Sequence, residues 1–535
     1  MRYLLQILFM LTGSILLAQN PNYIQGEILV RLTENTKMDD FYERNPAIHA
    51  TESQQVSRAM NIWKMKISDS FSEIQTVTEM YKDPAVIDAQ LNHTISLRNT
   101  PDDPLFPQQW QYYQANDKDI DADEAWEVTT GGLNTDGKEI VVAVIDDGIN
   151  ADHPDLAANL WVNHAEIPGN GIDDDENGYI DDIHGWHVYF NNGNINNNGW
   201  HGTPVSGIIG AVGNNGVGVA GVNWDVKIMT IILFGAAESD VISAYDYALL
   251  ARQKFNETNG EEGAFVVATN SSWGIDFGQP SNAPLWCAFY DEMGQAGILS
   301  AAATINGNYN VDQVGDLPTA CPSEYLIAVT NMNQNDNKVI QAGYGAESID
   351  LGAHGEGAYT VTTQSYGGFG GTSGATPHVA GAVALLYSAP CESFTELTKT
   401  DPELAAQKVR NYIFEGVDPN PTLAGITVTE GRLNLNNSIQ LLMDDCTQMN
   451  LDEVNFATTV EIYPNPTIDK LNIVSQQGNP VDLVQIFSAD GKLVKSRTLL
   501  ISGQVDVSEL PKGVYKIRIK FNGQQGLVTK KFIKQ

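Results

Sequence analysis

The sequence predicts an α/β protein that is preceded by a small α+β unit and followed by an all-β sandwich. Residues 141–145 form a short, mostly β-branched run that ends in Asp146-Asp147-Gly148, as a buried parallel strand ends at the edge of its sheet. The runs 208–212 and 380–387 consist of small apolar residues, which is typical of buried helices. Five short alternating segments between residues 460 and 533 are typical of a β-sandwich.

A serine lies at the expected beginning of one of these helices. Ser373 stands in Gly-Thr-Ser373-Gly-Ala-Thr-Pro-His, just before the run 380–387. Pro377 fits a first helical turn, where its missing N–H has no cost. The start of a helix offers free N–H groups and a positive dipole end, which can hold a serine hydroxyl and the oxyanion that its attack creates. For this motif alone, a Ser/Thr helix cap is the alternative.

Two further motifs favour catalysis over a cap. Asp146 follows the predicted strand, and His201 opens the motif His-Gly-Thr-Pro-Val-Ser-Gly before the run 208–212. Asp146, His201 and Ser373 occur in the chain order of the subtilisin triad. The three motifs, with His-Pro-Asp-Leu at 153–156, resemble those of subtilisin-family serine endopeptidases (subtilases) over roughly residues 104–440.

This resemblance implies a doubly wound α/β domain with a mostly parallel sheet. It also implies that Ser373 attacks the scissile carbonyl, that His201 takes and returns the proton, and that Asp146 fixes the imidazole. Asn306, after an alanine-rich segment, is the implied oxyanion-hole side chain, and a plain loop residue is the alternative. The chain departs from the family pattern at three positions without losing a proton-transfer group: Asp147, Ile305 and Gly374 replace the usual serine or threonine, glycine and methionine.

The resemblance also suggests where a peptide binds. Ser272, Trp273 and Gly274 follow the strand-like run 265–269 and resemble one wall of the primary specificity pocket. An extended substrate would add to that edge as a strand. An aromatic residue such as Trp273 at a strand end also fits a core position, so the sequence does not define the preferred side chain.

An acidic loop between the aspartate and histidine motifs predicts a structural calcium site. Asp173, Asp175 and Asn177 have the spacing of the first three EF-hand ligands, and the Tyr179 carbonyl follows at position seven. His184 occupies position twelve, so Asp181 or Asp182 would have to close the shell. A solvated acidic loop is the alternative, although so many carboxylates repel one another without a cation. We expect no catalytic metal and no organic cofactor.

Composition and cysteines indicate an exported protein. Acidic residues outnumber basic ones by 66 to 30, which argues against a nucleic-acid or anionic-membrane partner. Residues 1–18 resemble a cleaved signal peptide, and no later run is apolar enough to span a membrane. The four cysteines permit three pairings. We favour Cys287 with Cys321 and Cys391 with Cys446, because each bond would tie a loop to its neighbouring element.

The remaining segments predict accessory domains. Residues 19–103 contain an α+β unit and a linker; the resemblance implies a propeptide, with a permanent accessory domain as the alternative. The catalytic domain is expected at 104–445, followed by a connector at 446–458. Residues 459–535 resemble the C-terminal sorting domain of type IX secretion cargo, with seven Lys or Arg and no Asp or Glu from residue 512 onwards. A carbohydrate- or protein-binding sandwich is the alternative.

Together these features predict a secreted or cell-surface serine endopeptidase that is exported through the periplasm. Its partners would be protein or peptide substrates and the secretion machinery, and we expect a monomer. The competing hypothesis is a surface adhesion or binding protein on an inactive subtilase scaffold. The intact set of three motifs argues against it.

Overall fold

A computed structural model describes residues 23–34, 36–46, 48–68, 72–93, 100–196, 199–233, 237–475, 481–488, 493–500, 503–521 and 527–535. The proposed signal peptide, residues 1–18, lies outside these ranges. The described residues up to 93 form one compact unit, and those from 100 onwards form a second.

The first unit is an antiparallel sheet with two helices, in agreement with the predicted α+β unit. Its elements are β1 (Tyr23–Leu32), α1 (Met38–Arg44), β2 (Ala50–Ser57), β3 (Ile62–Ile67), α2 (Glu73–Met80) and β4 (Val86–His93), with strand order β2-β3-β1-β4. Alternate residues of β1, among them Ile28 and Val30, face a core that also contains Phe41 of α1.

The second unit begins with a large α/β domain. Its first elements are α3 (Ala122–Ala125), β5 (Val141–Asp146), β6 (Gly185–His187), α4 (Gly202–Gly210), β7 (Lys227–Ile232), α5 (Glu238–Thr258), β8 (Val266–Ser271), β9 (Ile275–Asp276), α6 (Pro284–Ala296) and β10 (Leu299–Ala303). These are followed by α7 (Val311–Val314), β11 (Asp316–Leu317), β12 (Leu326–Met332), β13 (Leu351–His354), β14 (Ala358–Val361), β15 (Tyr366–Phe369), α8 (Thr372–Tyr387), α9 (Glu392–Thr400), α10 (Pro402–Glu415), β16 (Asp418–Pro419), β17 (Gly431–Arg432) and α11 (Leu435–Thr459).

A nine-stranded sheet organises this domain in the order β16-β17-β13-β12-β10-β8-β5-β7-β6. All neighbouring strands are parallel except β16 and β17. The chain leaves β5 first towards β6 and β7 and then returns past it to β8, so the strand order reverses beside β5. In open α/β sheets, sites form outside the carboxyl ends of the strands at such a switch point. Asp146, the last residue of β5, lies there.

Both faces of the sheet are covered, which confirms the doubly wound arrangement. On one face, Val142 and Val144 of β5 share a core with residues of α4 and α8. On the other face, Val141 and Ile145 share a core with residues of α5 and α6. Because successive side chains of a strand point to opposite faces, burial on both sides explains the uninterrupted apolar run at 141–145.

The end of the second unit is an all-β sandwich. Its strands are β18 (Val460–Tyr463), β19 (Lys470–Ser475), β20 (Val481–Ser488), β21 (Leu493–Leu500), β22 (Gln504–Asp506), β23 (Gly513–Phe521) and β24 (Leu527–Lys534). They form two antiparallel sheets, β18-β19-β22 and β21-β20-β23-β24. Leu471 and Ile473 from one sheet share a core with Ile486 and Ile517 from the other.

Two bonds confirm the favoured cysteine pairing, and one segment differs from its prediction. Cys287 is bonded to Cys321, and Cys391 to Cys446. We expected an irregular connector at 446–458, but α11 continues through it. That segment contains no glycine or proline, so nothing stops a helix that begins at Leu435. Among the described residues, no helix is long and apolar enough to cross a membrane.

Candidate active site

A histidine and a buried aspartate form a direct pair at the switch point. Asp146 ends β5 and is 4% exposed, whereas His201 immediately precedes α4 and its side chain is 20% exposed. The His201 Nδ1 lies 2.9 Å from Asp146 Oδ1 and 3.1 Å from Oδ2. An Nδ1–H that donates to this carboxylate leaves Nε2 as the basic nitrogen of the neutral ring.

The surroundings of His201 favour its protonated form. Burial alone lowers the pKa of His201, but the hydrogen bond and charge of Asp146, with the nearby charge of Asp147, outweigh it and raise the pKa above its ordinary value of 6.5. The ring therefore accepts a proton more readily than a free imidazole does. This is the property that a general base needs.

Ser373 lies at the same edge of the sheet, in the first turn of the fully buried helix α8. Its Oγ donates to the Ser272 carbonyl at 3.0 Å, and the Ser272 hydroxyl donates to the Ser373 carbonyl at 3.1 Å. Ser272 directly follows β8, the strand beside β5. The two bonds fix Ser373 over the carboxyl end of the sheet. Helices α8 and α4 also pack against each other.

The structure corrects the position of Pro377. We placed it in a first helical turn, but α8 begins at Thr372 and Pro377 lies inside the helix. In a regular helix the N–H of residue 377 would bind the carbonyl of residue 373, and proline lacks that N–H. The Ser272 hydroxyl binds the Ser373 carbonyl instead. A partner distant in sequence therefore satisfies the acceptor that Pro377 leaves free.

Asn306 is held against the beginning of α8. Its Oδ1 accepts the Thr372 N–H at 3.1 Å and lies 3.2 Å from the Thr372 hydroxyl, which donates to the Thr304 carbonyl at 2.6 Å. Gly371 has a φ of +77°, and a Cβ there would approach Asn306 Oδ1 to 2.9 Å. Asn306 is exposed, its oxygen is engaged by Thr372, the residue before Ser373, and its Nδ2 is the donor of the amide.

Asp316 forms hydrogen bonds with the two residues before Asn306. It belongs to no sequence motif from which this role could be predicted. The carboxylate accepts from the Ile305 N–H at 2.9 Å and from the hydroxyls of Thr304 and Thr319 at 3.0 and 2.6 Å. Burial raises the pKa of Asp316 to about 6. The Ile305 side chain is itself buried in a small core, so the unusual residue before Asn306 is accommodated inside the fold.

The predicted substrate-binding segment borders the same edge. Ser272 is bonded to Ser373 as described above. Trp273 is half-buried, donates its indole N–H to the Ile145 carbonyl at 2.6 Å and stacks on Trp286 at 5.9 Å. Trp273 thus packs against the core beside Asp146. Gly274 leads into β9, which pairs with β11.

Two aromatic residues beside His201 were not identified from the sequence. The ring centroids of Trp200 and Phe369 lie 5.4 and 5.3 Å from that of His201, both nearly edge-on. Trp200 is 72% exposed. The adjacency of Trp200 to His201 in the chain was the available signal, but Phe369 reaches the ring only through the β14–β15 hairpin.

The acidic loop forms a cluster that can hold a metal ion. Glu166, Asp173 and Asp175 each offer a carboxylate oxygen, and these atoms lie within 4.8 Å of one another. Glu166 was not part of the predicted set. Three carboxylates fit a hard cation that prefers oxygen ligands.

The other side chains predicted as calcium ligands form hydrogen bonds with groups of the protein. The Asp181 carboxylate accepts the N–H groups of Asn170 and Gly171 at 3.1 and 3.0 Å. Asp182 is buried and accepts from Asn163, Asn177 and the Tyr247 hydroxyl. Asn177 Oδ1 accepts the Tyr179 N–H at 2.7 Å. Asp182 therefore ties the loop to α5, and Asp181 closes the turn at 170–171.

Comparison with known proteins decides the family. Residues 137–421, more than half of the chain, match the subtilase family. The chain belongs to the subtilase family. Residues 461–535 match the secretion system C-terminal sorting domain. This second match indicates export, with release from the cell or attachment to its surface.

Individual relatives match a little more than half of this subtilase or somewhat more. Subtilisin-like protease 1 of Plasmodium falciparum is 30% identical over 320 residues, which are 56% of this chain and 43% of that protein. Thermitase of Thermoactinomyces vulgaris is 28% identical over 292 residues, which are 54% of this chain and 86% of that protein. A solved protease structure from Pseudoalteromonas arctica aligns with a TM-score of 0.47 and 22% identity, over 64% of this chain and 99% of that one. The chain thus spans less than half of the length of the Plasmodium relative.

Proposed function

We propose that this subtilase is a secreted serine endopeptidase that acts through Asp146, His201 and Ser373. The observation that carries the proposal is the bond between His201 Nδ1 and the buried Asp146 carboxylate, at the sheet edge where Ser373 lies in the first turn of α8. Such a pair fixes the imidazole so that Nε2 can take a serine proton.

In the proposed reaction, Ser373 Oγ attacks the scissile carbonyl carbon and gives its proton to His201 Nε2. The resting hydroxyl donates to the Ser272 carbonyl, so it must turn from that acceptor towards Nε2 when the substrate binds. Collapse of the tetrahedral intermediate breaks the C–N bond, and Nε2 returns the proton to the leaving amine. Water then hydrolyses the acyl-enzyme by the same proton route.

Asn306 would stabilise the oxyanion that forms in both steps. Its Oδ1 is occupied by the Thr372 N–H, so the donor Nδ2 is available for the developing charge. The Asp316 bonds to Thr304 and Ile305 hold the backbone just before it. Such preorganisation matters because a donor that is already oriented needs no rearrangement during the reaction.

An extended peptide would bind along Ser272, Trp273 and Gly274, where backbone pairing provides affinity and neighbouring pockets provide selectivity. Since Trp273 is anchored on Trp286 and the Ile145 carbonyl, it would form a fixed wall of this cleft. We further propose that the first unit is a propeptide that is removed by cleavage. The propeptide role is supported by the family resemblance, and the peptide-binding role also by the position of Ser272 beside Ser373.

We also propose that the acidic loop binds a structural calcium ion. Glu166, Asp173 and Asp175 would supply carboxylate oxygens, and Asn177 with the Tyr179 carbonyl would extend the set. Calcium would neutralise the repulsion among the carboxylates and thereby stabilise the loop. Because Asp182 joins this loop to α5, the stabilisation would extend into the domain. The ion would have no part in bond cleavage.

Export would require both ends of the chain. Residues 1–18 would direct passage across the inner membrane, and residues 459–535 would be recognised by the type IX secretion machinery. The support for the second step is the sorting-domain match and the basic end of the sandwich.

Peptide hydrolysis by purified mature protein tests the proposed activity. Ser373→Ala and His201→Ala should each abolish turnover of a casein-type or short peptide substrate. Ser281→Ala and His164→Ala replace exposed residues of the same types and should retain it. Full activity in Ser373→Ala would refute the mechanism, and inactivity of the wild type would favour a binding protein on the subtilase scaffold.

A further inference from the structure

Asp147, the residue after Asp146, contacts the backbone of His201 with its carboxylate. Asp147 Oδ1 accepts the Gly202 N–H at 2.7 Å, and both carboxylate oxygens lie 3.3 Å from the His201 backbone nitrogen. His201 stands at the N-cap position of α4 and makes no side-chain cap bond itself. Asp147 therefore supplies, from outside the helix, the acceptor that free N–H groups at a helix start require.

Asp147 and Asp146 hold different parts of His201. Asp146 binds the imidazole ring, whereas Asp147 binds the main chain that carries it. The first residue of α4 also packs closely against the end of β5 and the residue after it. A Cβ on Gly202 would lie 3.1 Å from the Asp146 Cβ and 3.2 Å from Asp147 Oδ1. A small shift of α4 would consequently move the ring relative to Ser373.

We propose that Asp147 is a positioning residue that holds the His201 main chain at the start of α4 and keeps a negative charge beside the imidazolium. This inference rests on the proposed function, since it concerns the base of that reaction. Subtilases usually have serine or threonine at this place, and a neutral hydroxyl can accept an N–H but adds no charge. Asp147 would therefore make His201 a stronger base than the fold with serine would.

The charges around His201 agree with this assignment. The titratable groups facing it are Asp146 and Asp147 from the end of β5, and the uncharged rings of Trp200 and Phe369 lie against it from the preceding loop and from β15. Burial raises the pKa of Asp147, and the charge of Asp146 raises it further, whereas the N–H of Gly202 opposes the rise. The charge of Asp147 contributes to the raised pKa of His201.

Two measurements test the proposal, and one of them does not depend on activity. The pKa of His201 is measured by NMR titration of labelled histidines in full-length Ser373→Ala protein, which cannot digest itself. Asp147→Asn keeps an oxygen acceptor for the Gly202 N–H but removes the charge, so the pKa of His201 should fall by about 0.5 to 1 pH unit. Asp152→Asn removes an exposed charge five residues further along and should leave it unchanged.

The second measurement follows kcat and KM in the wild-type background. In Asp147→Asn and Asp147→Ser, the apparent pKa of the acid limb of the kcat/KM profile should fall by the same amount as the titrated pKa of His201. Asp147→Ala also loses the cap, so its plateau kcat should fall about tenfold below that of Asp147→Ser at similar KM, because small misplacements of a catalytic group slow reaction strongly.

An unchanged His201 pKa in Asp147→Asn, or an equal shift in Asp152→Asn, would overturn the proposal. If the wild type fails to hydrolyse peptides, the proposed function fails while the NMR titration still decides the role of Asp147.

Discussion

Replacing Asn306 by alanine should separate the proposed catalysis from folding in this subtilase. The substitution removes the Nδ2 donor proposed for the oxyanion and the Oδ1 acceptor of the Thr372 N–H. Loss of one oxyanion-hole donor costs about 2.7 to 4 kcal/mol in the transition state, which is about 10² to 10³ in kcat. We expect this loss with little change in KM, because the ground-state carbonyl depends less on the donor.

The structural cost of the same substitution should be much smaller. The lost bond to the Thr372 N–H is worth roughly 0.5 to 1.5 kcal/mol, and Asn306 is exposed, so water can replace it. The Thr372 hydroxyl keeps its 2.6 Å bond to the Thr304 carbonyl. The melting temperature of Asn306→Ala should therefore stay close to that of the wild type.

Two control variants sharpen this experiment. Asn306→Asp keeps an oxygen for the Thr372 N–H but lacks the donor, so it should lose at least as much kcat as alanine. Thr372→Val removes the hydroxyl but keeps the N–H that holds Asn306, so it should lose less than about tenfold. Steady-state kinetics on a chromogenic peptide provides the assay. A kcat of Asn306→Ala within threefold of the wild type would refute the oxyanion role.

Three further predictions concern pH, calcium and export. Because the pKa of His201 is raised and its neutral form is the base, kcat/KM should fall at acid pH with an apparent pKa above 6.5. An apparent pKa below 6.5 would contradict the pairing with Asp146. Chelation should lower the melting temperature, since an ion at 100 times its Kd stabilises the native state by about 2.7 kcal/mol, and the double variant Asp173→Asn, Asp175→Asn should lose this sensitivity. Equal melting curves with and without chelator in the wild type would leave only a solvated loop. Deletion of residues 459–535 should preserve hydrolysis of small peptides but retain the enzyme in the periplasm, as cell fractionation would show; normal extracellular appearance would contradict the sorting role.

Local patterns predicted those features whose causes are local. The apolar run at 141–145 predicted a buried strand because both of its faces are covered by helices. The paired cysteines could be assigned because each bond closes a loop between neighbouring elements. The alternating segments after residue 460 predicted a sandwich because one face of each strand enters a common core.

Features that depend on distant partners could not be predicted in this way. Pro377 fits inside α8 because the Ser272 hydroxyl binds the carbonyl that its missing N–H leaves free. Asp316 reaches the turn before Asn306 only after the chain has folded back, and Glu166 joins Asp173 and Asp175 from outside the EF-hand-like spacing. In each case a partner that the fold brings close, rather than periodicity, determines the role.

Chemical labelling of the mature protein tests the central claim most directly. A fluorophosphonate reacts only with a serine that a neighbouring base activates, so tryptic mapping should find one adduct, on Ser373. The adduct should be absent in Ser373→Ala and form far more slowly in His201→Ala, while Ser281→Ala should label like the wild type. No adduct on Ser373 of the wild type, or undiminished labelling of Ser373→Ala, would contradict the assignment of this serine as the nucleophile.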